Sequence, residues 1–156
     1  MIDTAMIAAP AGFLGGVVGA LVTAHLTTQR ERWNLRRELY TRLLENLGEV
    51  VDALELLHDA LRAGPGPTEK AKDQWDIRIG RLTERESRAE EEIRRATSVA
   101  AIMLTNEALK ALKSFRKEWK LSEQAESSDE HISIRLEGAR KANDLLVNAA
   151  KKDLGF

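Results

Sequence analysis

The sequence predicts an all-α protein: an N-terminal transmembrane helix continuous with a long helix, followed by an antiparallel three- to four-helix bundle. Three observations carry this. Thr4 to Gln29 holds no formally charged side chain over 26 residues when His25 is neutral. Beyond it, apolar residues recur at alternating spacings of three and four, the mark of a helical seam. Charged residues make up 31% of the chain and aromatics 4%, with three prolines, a balance that suits long helices better than a sheet.

The first element is the predicted span. A bilayer core about 30 Å thick takes about 20 predominantly apolar helical residues, and Ala5 to Leu26 supplies 22. Only Asp3 precedes the run, whereas Arg30, Arg32, Arg36, Arg37 and Arg42 follow it. Basic residues at a membrane end stay on the cytoplasmic side. The expectation is therefore a single-pass inner-membrane protein, N-out and C-in, with residues 1–29 as anchor and residues 30–156 as a cytoplasmic helical bundle. Arg30, Arg32, Arg36 and Arg37 would face the anionic leaflet, each contributing about 1 kcal/mol of attraction. Trp33 would rest at headgroup depth. Val22-Thr23-Ala24 has the form of a signal-peptide cleavage site, but the run lacks a positive n-region and is too long for one.

Within the run, Gly12, Gly15, Gly16, Gly19 and Ala20 form overlapping small-x-x-x-small motifs, a stripe along which a second helix can approach closely. They predict a homo-oligomer in the bilayer. Pro10 removes a backbone donor near the start, and His25 is the one titratable group in the run.

Past the span, breaks and caps divide the chain into helices over about residues 30–63, 68–104, 106–124 and 128–152. The first is seamed by Tyr40, Leu43, Leu47, Val50, Leu54, Leu57 and Leu61, with Glu45, Glu49, Asp52, Glu55 and Asp59 on the opposite face. It ends at Ala63-Gly64-Pro65-Gly66-Pro67, the clearest turn in the chain. Thr68 caps the second helix, whose seam reads Trp75, Ile79, Leu82, Glu86, Ala89, Ile93, Ala96, Ala100 and Met103. A short loop between two long helices predicts antiparallel packing. Thr105 or Asn106 caps a third helix with Leu112, Phe115 and Trp119 on its apolar face. Ser127 or Ser128 caps a fourth, offering Ile132, Leu136, Ala139, Leu146 and Ala150. A second helix running on through Thr105 would reduce the number to three.

Candidate chemistry is sparse. Glu55 and His58 have the spacing of two metal ligands on one helix face, but carboxylate-bridged sites need a second such pair and further carboxylates. Glu86 at a seam position requires a cationic partner or partial exposure, because an unpaired buried charge is costly. From Arg81 to Arg95 signs alternate, and Glu84–Arg88, Glu90–Arg94 and Glu91–Arg95 stand in the acid-first i,i+4 order of a solvated face. A groove for nucleic acid would want one sign and interleaved aromatics, which that run lacks. Net charge is −1 and there is no cysteine, which excludes disulfides and thiolate chemistry. His25, His58 and His131 form no catalytic spacing. No cofactor, metal or nucleic acid is expected.

Two short motifs, Arg36-Arg37-Glu38-Leu39-Tyr40 after the run and Ala149-Ala150-Lys151-Lys152-Asp153-Leu154-Gly155 at the end, resemble small bacterial, often actinobacterial, single-span membrane proteins with a cytoplasmic helical domain and no assigned activity. The resemblance implies a membrane-anchored helical protein and carries no functional residues. The function expected is that of a non-enzymatic, membrane-anchored interaction or scaffold protein, self-associating or binding a helical partner through its cytoplasmic helices. The alternatives are an oligomeric pore-forming effector, as in phage defence, and a phage lysis protein, which needs the opposite topology.

Overall fold

The computed structural model describes residues 5–155, with side chains from residue 26 onward. It holds four helices and, among the described residues, no strand: α1 (Ala5–Ala63), α2 (Glu69–Met103), α3 (Asn106–Ser122) and α4 (Ser128–Leu154). The chain forms two compact units, Met1–Arg36 and Arg37–Phe156.

In the first unit the described side chains are mostly exposed, Arg30, Arg32, Trp33 and Arg37's neighbour Leu35 among them, with Arg36 half-buried. The membrane placement is corrected here. No helix among the described residues is long and apolar enough to cross a membrane. The side chains of residues 5–25 lie outside the described residues; from residue 26 on, the reason is charge density. From Arg30 on, α1 carries Glu31, Arg32, Arg36, Arg37 and Glu38 within two to three turns, and α2, α3 and α4 each carry many charged side chains. The inner-membrane localisation falls with that finding. The side chains of Gly12, Gly15, Gly16, Gly19 and Ala20 lie outside the described residues.

The second unit is an up-and-down helical bundle, and its cross-links give the direction of each helix. Along α1 and α2, the Trp75 indole donates to the Ala60 carbonyl at 2.9 Å, Arg85 pairs with Glu49, and Arg42 with Glu92. One partner number falls as the other rises, so the two helices are antiparallel. Arg140 with Glu55 and His58 with Asp129 show the same for α1 and α4. Lys152 with Glu107 and Arg135 with Ser122 show it for α3 and α4.

Local chemistry sets the helix ends. Gly64 adopts φ +67°, a left-handed conformation that glycine enters without a Cβ penalty, and its N–H returns to the Ala60 carbonyl. Thr68, Thr105 and Ser127 are N-caps whose hydroxyls accept from Ala71, Ala108 and Glu130 respectively. Each satisfies one of the orphan donors of a helix start, a contribution of about 1 kcal/mol.

The core is built from the α1 seam. Tyr40, Leu43, Leu47, Val50, Leu54 and Leu57 are buried, with Ile93 from α2, Leu112 and Phe115 from α3, and Ile132 and Leu146 from α4. Each such large side chain contributes about 1.5–3 kcal/mol when fully removed from water. Leu61, Trp75, Ile79 and Leu82 are half-buried. α3 and α4 also bury many small residues: Ala108, Ala111, Ser122, Gly138, Ala139, Ala142 and Ala149 are all buried. A Cβ added at Gly138 would stand 2.6 Å from the Glu118 Cβ, so glycine is what lets the two backbones come this close.

Candidate functional site

The polar interior gathers where α2, the end of α3 and the start of α4 meet. A cleft of about 480 Å³ opens there, walled by Leu54, Leu57, Leu61 and Ile79 on one side and by Thr83, Glu86, Ser128, His131 and Arg135 on the other. Leu54, Leu57 and Leu61 come from the α1 seam, so the apolar wall is the edge of the core left uncovered beyond the capped start of α4.

Glu86 is the charge that the seam of α2 carries inward. Its side chain is 4% exposed, and its partner is Arg135 of α4, itself 16% exposed, with Nη1 donating to Glu86 Oε1 at 2.6 Å. The cation that the burial of Glu86 demands thus comes from α4. Arg135 Nε also donates to the Ser122 hydroxyl at 2.9 Å, and that hydroxyl donates to the Trp119 carbonyl at 2.6 Å. The Arg135 guanidinium carbon lies 4.1 Å from the centroid of the Trp119 ring, a cation–π contact in a partly desolvated place. Phe115 packs against Trp119 at 5.1 Å between ring centroids, tilted by 48°. His131 Nδ1 stands 2.6 Å from the Ser122 carbonyl oxygen. A carbonyl only accepts, so Nδ1 carries the hydrogen and, in the neutral ring, Nε2 keeps the lone pair.

What this arrangement can do follows from where its hydrogens go. The Ser122 hydroxyl hydrogen is committed to a carbonyl and its oxygen accepts from a guanidinium. No base faces it in these bonds, so it is not set up as a nucleophile of the serine–histidine kind. Burying an ion pair costs solvation, which geometry and added hydrogen bonds must offset. Here the partners of Arg135 lie on two other helices, Glu86 on α2 and Ser122 and Trp119 on α3, and the network ties α2, the C-terminus of α3 and the first turns of α4 into one register.

The other sequence candidates are placed apart. Glu55 pairs with Arg140 at 2.6 Å, and His58 Nε2 lies 3.3 Å from Asp129 Oδ1, so the two hold α4 at separate points. Among the described residues no group of three or more His, Cys, Asp or Glu side chains could hold a metal ion. On the exposed face of α2, Glu84 meets Arg88 and Glu91 meets Arg95, the i,i+4 pairs read from the spacing. Arg94 departs from that pattern and pairs with Glu91 at i,i+3. Arg94 first, and Arg95 with it, hold the Glu91 carboxyl down to about 2 against an ordinary 4.5. The folded value lies below the unfolded one. Its contribution to stability is therefore present above pH 4.5 and fades as pH falls toward about 2. Glu90 lies on the side of α2 toward α3, where partial burial, and next the charge of Glu91, push its carboxyl upward.

The residues missed by sequence reasoning are Arg135, Ser122 and Trp119 as one unit. A signal for the first was available. Arg135 lies three residues after Ile132 and four before Ala139, on the apolar face of α4, where an arginine needs an internal acid.

No family model, no curated protein and no solved structure matches this chain.

Proposed function

We propose that the chain is a non-enzymatic interaction protein whose helical bundle associates with a second copy of itself through the C-terminal end of α2. The observation that carries this reading is the surface there. The charge alternation of α2 stops at Arg95, and Thr97 to Leu104 contains no charged residue. Ala100 and Leu104 of that stretch are buried in the bundle, while Val99 and Ile102 are 54% and 85% exposed.

Single exposed apolar residues are ordinary. Two large β-branched side chains at i,i+3, flanked by the small exposed residues Ser98 and Ala101, make a flat apolar spot on one helix face. A two-fold contact would bury that spot against its own copy, with up to about 1.5–3 kcal/mol from each large side chain fully covered. The interior supports the same reading from the other side, since the bonds of Ser122, His131, Glu86 and Arg135 are made to one another and to the backbone.

Sedimentation velocity of the full-length protein over a range of concentrations tests this. The wild type should shift toward a dimer or larger species as concentration rises. Ile102→Asp, at an exposed position that the fold does not need, should remain a monomer over the same range. Identical behaviour of the two proteins would remove the α2 end as the contact.

A further inference from the structure

α3 carries five exposed cations, Lys110, Lys113, Arg116, Lys117 and Lys120. Lys110, Lys113, Lys117 and Lys120 are spaced three, four and three apart, so they stand in one row along the helix. The row is about 15 Å long at 1.5 Å per residue. Of the acids nearby, two are engaged or turned elsewhere, while Glu90 of α2 and Glu123 line the groove beside the row. Glu107 meets Lys152, and Glu118 packs its Cβ against Gly138 of α4. Among the described residues, none of the five cations forms an ion pair within 4.0 Å.

The contrast with α2 is instructive. There, Arg88, Arg94 and Arg95 each meet a glutamate of their own helix. On α3, like charges at i,i+3 and i,i+4 oppose helix formation, and the helix is held by its buried face instead. The row also borders a groove of about 770 Å³ to which α2 contributes Glu90 and Arg94, with Phe115 and Trp119 among its lining residues.

We propose that this row is a docking surface for an acidic helical segment of a partner protein, whose carboxylates at three-four spacing pair with Lys110, Lys113, Lys117 and Lys120. The spacing matches one helix laid along another. Leu121, exposed beside Lys117 and Lys120, supplies an apolar contact for such a helix. A nucleic acid strand fits less well. Phe115 is buried and the Trp119 ring lies against Arg135 and Phe115, whereas single strands are held by stacking on open aromatic faces. Glu90 and Glu123 also line the groove, where they would repel a continuous phosphate backbone but leave room for carboxylates placed one per turn. The proposal rests on the reading that the chain acts by binding, and it uses a different face from Val99 and Ile102.

The test titrates full-length protein with three labelled probes, followed by fluorescence anisotropy. They are a synthetic helical peptide with Glu at three-four-three spacing, its Gln counterpart, and a single-stranded oligonucleotide of equal charge. The Glu peptide should bind saturably and weaken with salt. Lys113→Glu combined with Lys117→Glu should lower its affinity about tenfold or more, as loss of complementary charge at an interface does. The same double variant should gain affinity for a peptide with Lys in place of Glu, which shows that it is folded and that charge sets the preference. Ile102→Asp should bind the Glu peptide as the wild type does. Equal binding of the Gln peptide, an unchanged affinity in the double variant, or tighter binding of the oligonucleotide would overturn the proposal. Overturned with self-association intact, it leaves the α2 contact standing. A chain that neither self-associates nor binds the peptide removes both.

Discussion

Arg135→Met should destabilise the bundle by about 3–5 kcal/mol in urea unfolding, the cost of leaving a buried charge without its partner. The size follows from the surroundings. Glu86 is almost wholly inside, and the ion pair it makes is with Arg135. The same change removes the donor to the Ser122 hydroxyl and the cation over Trp119. The companion double variant Glu86→Leu with Arg135→Met separates the pair's own worth from the penalty of breaking it. Replacing a buried ion pair by apolar groups of similar volume is often neutral or stabilising by about 1–4 kcal/mol, so the double variant should recover most of the loss. A single variant that unfolds at the wild-type urea concentration would show that Glu86 is not buried as described.

Phe115→Ala should cost about 3–5 kcal/mol, the usual range for removing a buried aromatic ring and leaving a cavity. Phe115 is among the largest fully or nearly fully buried side chains, and it supports Trp119 through a tilted ring contact. That contact adds about 0.5–1.5 kcal/mol beyond burial. Because Trp119 in turn lies under Arg135, the loss should reach the ion pair as well. Thermal unfolding followed by circular dichroism gives the stability, and tryptophan emission should shift as Trp119 loosens. Phe115→Leu, which keeps more of the volume, should cost less, about 1.5 kcal/mol or under. Equal losses for Ala and Leu would indicate that the ring geometry, and not the filled volume, dominates at this position.

The all-α class and the bundle are legible in the chain because each rests on local pattern. The three-four alternation from Tyr40 to Leu57 is a property of one helix, and burial follows it residue by residue. Thr68, Thr105 and Ser127 announce helix starts because the cap is made within three residues. The candidate site is less legible because its partners are distant in sequence. Glu86 reads as a charge needing a cation, but Arg135 lies 49 residues away, and nothing local decides between helices as the donor. Sequence spacing does not decide the choice of Arg94 between Glu90 and Glu91 either: Arg94 pairs with Glu91, while Glu90 is partly buried. The predicted span shows the opposite limit. Length and absence of charge from Ala5 to Leu26 argue for it, yet no helix among the described residues is long and apolar enough to cross a membrane.

The central claim is that the bundle meets its own copy at the end of α2. The chain contains no cysteine, so Ala101→Cys creates a single reporter beside Val99 and Ile102, and Asp73→Cys a control about 42 Å away along the same helix at 1.5 Å per residue. Mild oxidation of each full-length variant, read on a non-reducing gel, is the most direct measurement. Rapid, near-complete dimer from Ala101→Cys with little from Asp73→Cys is the predicted result. Equal, slow cross-linking of the two would mean random collision and would contradict the claim.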